Sequence, residues 1–166
     1  MKLHSKALLI AASLVLGACA DPGRFGGPGA AGGGPGIGGT AADPASAAYF
    51  RQTVGDRVLF AVDQHVLSPE AMAVLDAQAR WLLDNPEYAA IIEGHADERG
   101  TSAYNLALSG RRANSVIEYL IGRGVAPERL RALPLGKERP IALCSEESCY
   151  AQNRRAVTVL RAGGLS

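Results

Sequence analysis

The chain has 166 residues, with 17 basic against 16 acidic side chains and a formal net charge of +1 at pH 7. That length accommodates one ordinary domain plus extra segments. A balance so near neutrality gives no reason to expect nucleic acid as a partner.

The first extra segment is residues 1–18, MKLHSKALLIAASLVLGA. Lys2 and Lys6 precede an apolar run from Ala7 to Leu16, and small residues follow, the pattern of a secretory signal peptide. The run falls short of the roughly 20 apolar residues a membrane span needs. Leu16-Gly17-Ala18-Cys19 has the form of a lipobox, where bacterial lipoproteins are acylated on cysteine and cleaved, so lipidation is expected at Cys19. Several acyl chains on one residue anchor durably, because each buried CH₂ contributes about 0.8 kcal/mol. Ala20, not an aspartate, follows Cys19, which points to the outer membrane with the protein facing the periplasm. Cleavage removes two lysines and no acid, taking the formal charge from +1 to −1.

Residues 19–48 are dominated by Gly, Ala and Pro. Such a stretch has little to bury against the entropy of ordering and is expected to be a flexible tether. About thirty residues of this kind span roughly 30 Å on average.

Residues 49–166 are expected to fold. Arg57–Val62 reads as a short strand. Ser68-Pro69-Glu70 starts a helix with an N-cap serine, proline at the first position and an acid in the first turn. That helix carries Met72, Leu75, Ala79, Leu82 and Leu83 at helical spacing and stops before Asn85-Pro86. Tyr88–Glu93 is a largely apolar strand and Ser102–Gly122 a second helix. Leu130–Leu135 is a weaker strand interrupted by Pro134, and Ala156–Leu160 is the last. Strands alternating with helices predict one α/β sandwich, helices packed on a small mixed sheet.

With Cys19 assigned to lipid, Cys144 and Cys149 remain. In an oxidising compartment an even pair reads as a disulfide. A zinc pair would require further ligands nearby, and none stands out.

The loop Gly94-His95-Ala96-Asp97-Glu98-Arg99-Gly100 follows the second strand, a common place for a binding loop in α/β folds. On a helical wheel of the next helix, Leu106, Ser109, Ala113, Val116, Ile117 and Leu120 share the side expected to face the core. Asn105, Leu108 and Arg112 form a stripe bordering it, and Arg111 points away. A carboxylate at Asp97 and a guanidinium at Arg112 on one pocket suit a zwitterion, the acid taking an ammonium and the arginine a carboxylate. The same two residues could instead bridge each other.

Several runs now align in order: Phe60, EGHADERGT (93–101), Tyr104-Asn105, LALSGRRANSV (106–116), GKERP (136–140) and NRRAV (153–157). Together they resemble the peptidoglycan-associated lipoproteins and, more broadly, OmpA-like domains. The resemblance spans about Val58 to Leu160, and the lipobox and tether fit it too. It implies a βαβαβ-type domain that binds the peptide stem of peptidoglycan through meso-diaminopimelate, without catalysis or a cofactor. The family's aspartate after Gly-His falls on Asp97 and its arginine before Ala-Asn on Arg112. Phe60, Asn105, Leu108 and Asn153 fall on other motif positions of that site. TolB and other Tol proteins are the implied partners, with roles in envelope integrity and outer-membrane constriction at division. One departure stands out: Ala61 follows Phe60 where the family usually has an aspartate, which implies weaker binding. Asp63 is a neighbouring acid that would face another way if the strand reached it.

The alternative class is a periplasmic hydrolase holding a metal through His95 and Asp97, with His65 as a third ligand. A catalytic zinc expects three well-placed ligands, and neither a Gly-x-Ser-x-Gly elbow nor a His-Glu-x-x-His motif occurs in the chain.

Overall fold

A computed structural model describes residues 39–163 and 165. The signal segment, Cys19 and the tether up to residue 38 lie outside the described residues.

Folded structure begins earlier than position 49. Ser46 caps a short helix, α1 (Ala47–Tyr49), by accepting the Tyr49 N–H at 3.0 Å, and the chain runs on through a π-helical stretch, Phe50–Gly55. Trp81 Nε1 donates to the Pro44 carbonyl at 2.7 Å, and the Phe50 ring packs 4.9 Å from the Trp81 ring. Ala47 and Phe50 are fully buried. The stretch from about Asp43 to Ala48 therefore belongs to the domain, because its carbonyl and small side chains complete the surroundings of a tryptophan.

The remaining elements are β1 (Arg57–Leu59), α2 (Pro69–Asp84), β2 (Tyr88–Gly94), α3 (Ser102–Gly122), β3 (Leu130–Pro134), α4 (Glu147–Asn153) and β4 (Arg155–Ala162). The sheet order is β1-β4-β2-β3, with β4 antiparallel to both neighbours and β2 parallel to β3. A parallel pair needs a long crossover, and α3 supplies it. Val58, Ala90, Ile92 and Ala156 from the sheet meet Leu75 and Leu82 of α2 and Ala113, Val116 and Leu120 of α3 in one core. Ser68 caps α2 as expected, accepting the Ala71 N–H at 3.2 Å. Gln78 is polar yet fully buried, with both ends satisfied. It donates to the Gly55 carbonyl and accepts from the Thr158 hydroxyl, each at 2.7 Å, stitching α2 to β4.

Three details depart from the sequence reading. The first strand stops at Leu59, because after Phe60 donates to the Arg154 carbonyl the chain turns through Ala61–Gln64, with Asp63 at φ +57°. Asp is among the few non-glycine residues that tolerate that region. Leu106, expected in the core, is half exposed, while Asn105, Leu108 and Arg112 are buried. The core-facing side of α3 is thus rotated toward the stripe read as its border. Third, α4 had no counterpart in the sequence reading.

Gly94 ends β2 hard against α3. A Cβ there would lie 1.9 Å from the Ser109 carbonyl oxygen, so only glycine fits.

Candidate functional site

Beyond Gly94 the loop is held by backbone bonds from His95 N–H to the Arg155 carbonyl and from Ala96 N–H to the Gly136 carbonyl. They deliver Asp97 to the mouth of a cleft. Its carboxylate accepts the Arg99 backbone N–H at 3.1 Å, closing a tight side-chain turn, and the Arg99 guanidinium at 2.7 Å. Arg154 Nη1 adds a third bond at 3.2 Å. Burial pushes the carboxyl's pKa up, but the hydrogen bonds from Arg99 and Arg154 outweigh it and hold the acid below its ordinary value.

Arg112 is completely buried. Its Nε donates to the Gln64 carbonyl at 2.8 Å, Nη1 to the His95 carbonyl at 2.8 Å and Nη2 to the Ala61 carbonyl at 3.2 Å. The guanidinium lies 5.2 Å from the centre of the Phe60 ring. Burial, and next the neighbouring Arg154 charge, lower its pKa to about 10, so it stays charged at neutral pH. Among the described residues no carboxylate lies within ion-pair distance of it. Asp97 and Arg112 therefore do not bridge each other. The expectation that Arg112 only borders the core-facing side of the helix is corrected: it is fully buried at the base of the cleft, anchored by three backbone carbonyls.

The cleft is open, about 220 Å³, and lined by Val62, Asp63, Asp97, Arg99, Gly100, Tyr104, Asn105, Leu108, Arg112 and Arg154. Four of the six residues expected to bind ligand thus come together: Asp97, Arg112, Asn105 and Leu108. Asn105 also braces the loop by donating to the Arg99 carbonyl at 2.7 Å. Phe60 lies behind the lining, buried under the Arg112 guanidinium. Asn153 is not on the cleft wall. Its side-chain oxygen accepts the N–H groups of Ile141 and Ala142, and its amide donates to the Ala142 carbonyl, which ties down the loop before α4.

Four polar lining residues carry no role in the sequence expectations. Arg154 is nearly buried and spans three acceptors, the Phe60 carbonyl, Asp97 and Glu147. Arg99 and Tyr104 lay within quoted motifs without an assigned function, and the Asp97-x-Arg99 spacing of a side-chain turn was the available signal. Asp63 accepts a hydrogen bond from the Tyr104 hydroxyl and lines the cleft. Its expected misdirection assumed that the strand continued to it, which it does not. Ala61 is exposed and contributes its carbonyl to Arg112.

Cys144 and Cys149 form the expected disulfide, with Cα atoms 5.7 Å apart. It closes the loop that leads into α4, whose Glu147 pairs with Arg154 at 2.6 Å.

His95 is buried with its ring 3.7 Å from Glu93. Burial, then the charges of Arg155 and Arg139, lower its pKa to about 4. Among the described residues no cluster of three or more His, Cys, Asp or Glu side chains is arranged to hold a metal. The hydrolase reading of His95, Asp97 and His65 finds no support in this geometry.

A mixed sheet covered by two long helices is the architecture of an OmpA-like domain, and the OmpA family's sequence profile matches residues 59–154. The chain belongs to the OmpA family. Within that family it is 51% identical over 129 residues to the peptidoglycan-associated lipoprotein of Rhizobium meliloti (strain 1021), covering 78% of this chain and 73% of that one. It is 44% identical over 154 residues to the peptidoglycan-associated lipoprotein of Agrobacterium fabrum (strain C58 / ATCC 33970), covering 92% and 85%. The crystal structure of the peptidoglycan-associated lipoprotein from Burkholderia pseudomallei superposes with a TM-score of 0.66 at 37% identity, covering 72% of this chain and all of that one.

Proposed function

We propose that this protein is an outer-membrane lipoprotein that holds peptidoglycan non-covalently through the meso-diaminopimelate of the peptide stem. Its role is to tether the outer membrane to the wall, with TolB and the other Tol proteins as partners, and it performs no chemistry on the wall. The proposed layout has three parts: a signal peptide over residues 1–18, lipid on Cys19, and a tether up to the folded domain.

The observation that carries the reading is the unpaired charge of Arg112. A buried guanidinium without a carboxylate is costly. Three of its five N–H groups are spent on backbone carbonyls, which leaves two for a bidentate or forked acceptor. Asp97 lines the same cleft, so a ligand carrying an ammonium beside a carboxylate meets both charges. The far end of meso-diaminopimelate has that pair on one carbon. Asn105 and Leu108 fill the wall between, and a cleft of about 220 Å³ matches an amino-acid head, not a whole glycopeptide. The relatives' name, peptidoglycan-associated lipoprotein, supports the same assignment.

The test is co-sedimentation of the full chain with purified sacculi. Asp97→Asn should lose binding while still melting cooperatively as a folded domain, and unchanged binding would contradict the site. Released soluble wall fragments in the same assay would contradict the absence of catalysis.

A further inference from the structure

Asp97 is held by two arginines that differ in how firmly they are fixed. The Arg154 side chain is 6% exposed and is committed on all sides, to the Phe60 carbonyl, Asp97 and Glu147. The Arg99 side chain is 44% exposed, and its hold on Asp97 is the shorter of the two, 2.7 Å against 3.2 Å. Both guanidinium bonds converge on one carboxylate oxygen, Oδ2. An ammonium approaching that oxygen from the cleft would meet a like charge already in place.

Arg99 also has somewhere else to go. Glu147 on α4 is 3.7 Å from its guanidinium and 60% exposed, and the Tyr150 ring lies 4.6 Å beneath it. Tyr150 is itself steadied, its hydroxyl donating to Glu98 at 2.9 Å. Both partners are on α4, whose first turn the Cys144–Cys149 disulfide encloses. Outward rotation of one exposed side chain would exchange Asp97 for Glu147 and keep the aromatic face, while the Arg99 backbone N–H stays on Asp97 Oδ1.

We propose that Arg99 is a displaceable counter-ion that holds the place on Asp97 which a ligand ammonium must take, and that it swings onto Glu147, still stacked on Tyr150, when the ligand binds. This rests on the diaminopimelate reading of the cleft and adds a residue that sets affinity by competition. The ligand's amine works against Arg99, not with it, so the competition selects for a primary ammonium able to form short, charge-assisted bonds.

The experiment is calorimetric titration of the full chain with the stem tripeptide L-Ala-γ-D-Glu-meso-diaminopimelate, and with the same peptide acetylated on its distal amine. Arg99→Ala should bind the tripeptide about two- to fivefold more tightly, the size expected for releasing one exposed ion pair. Arg99→Lys, which keeps a competing cation, should stay near the unsubstituted chain. The gain in Arg99→Ala should vanish with the acetylated peptide, a dependence that a structural role of Arg99 would not produce. Unchanged or weaker binding by Arg99→Ala, with Asp97→Asn still inactive, overturns the counter-ion role and leaves the site standing. No binding by the unsubstituted chain, or full binding by Asp97→Asn, takes down the site itself and the counter-ion with it.

Discussion

Asp97 and Arg112 face one cleft with opposite charges and do not touch each other. Asp97 is neutralised by Arg99 and Arg154, whereas Arg112 is fixed by the carbonyls of Ala61, Gln64 and His95. Arg112 is therefore a structural post, whatever it binds in the cleft. Arg112→Ala would remove three charge-assisted bonds and strand the buried His95 carbonyl, so the expected loss of stability is on the order of 3 kcal/mol. Arg112→Lys should recover only part of it, because an ammonium cannot span three carbonyls with the geometry of a planar fork. Urea unfolding of both variants checks this; a midpoint unchanged in Arg112→Ala contradicts it.

Gly94 offers a sharper steric prediction. A methyl group 1.9 Å from the Ser109 carbonyl forces β2 and α3 apart. Gly94→Ala should lower stability by about 3 kcal/mol, at the upper end of overpacking costs, and loosen the loop that carries Asp97. Thermal melts with and without stem peptide would show both effects, and a melting temperature equal to that of the unsubstituted chain would refute the contact.

His95 sets an acid limit on stability. Its pKa falls from 6.5 in the unfolded chain to about 4 in the fold, so the unfolded state takes up a proton first as pH falls. The stability tied to neutral His95 is fully present above about pH 6.5 and is lost progressively down to about pH 4. The loss reaches on the order of 3 kcal/mol. Measured from pH 7 to 4, unfolding free energy should fall steeply in the unsubstituted chain and less steeply in His95→Gln. Parallel curves would contradict the assignment.

The disulfide closes a short ring, for which chain-entropy arguments give about 2 kcal/mol at most. Reduction should therefore leave the domain folded while loosening α4. Hydrogen exchange should rise at Glu147–Asn153 and leave β2 and α3 protected; a global loss of protection would show that the bridge holds far more than its loop.

Much of this architecture was readable in the sequence, for local reasons. Ser68-Pro69-Glu70 announces α2, and the apolar run from Tyr88 announces β2, because caps and periodicity act within a few residues. Asp97 and Arg112 were legible as residues of one cleft, although the wheel placed Arg112 at the border of the core and the structure buries it. What escaped depends on distant partners. Leu106 looked like core on the wheel, but the chain at Ala61–Gln64 covers the other flank of α3, where polar Asn105 and Arg112 are buried and donate to backbone carbonyls. Arg154 joins Asp97 across 57 residues, which no spacing rule reveals. At seven residues, α4 has too few turns to show a period, and its N-cap makes no side-chain hydrogen bond. The domain's start was placed late because Ala and Pro near residue 44 look like tether until Trp81 claims the Pro44 carbonyl.

One cleft is proposed to read an ammonium and a carboxylate on the same carbon. Calorimetry of the full chain against two stem tripeptides, identical except that one ends in meso-diaminopimelate and the other in L-lysine, tests it most directly. Lysine keeps the distal ammonium but lacks the adjacent carboxylate, so it leaves Arg112 without its partner. Saturable binding of the diaminopimelate peptide is expected, with at least a tenfold loss, about 1.4 kcal/mol, for the lysine peptide. Equal affinity for the two would contradict it.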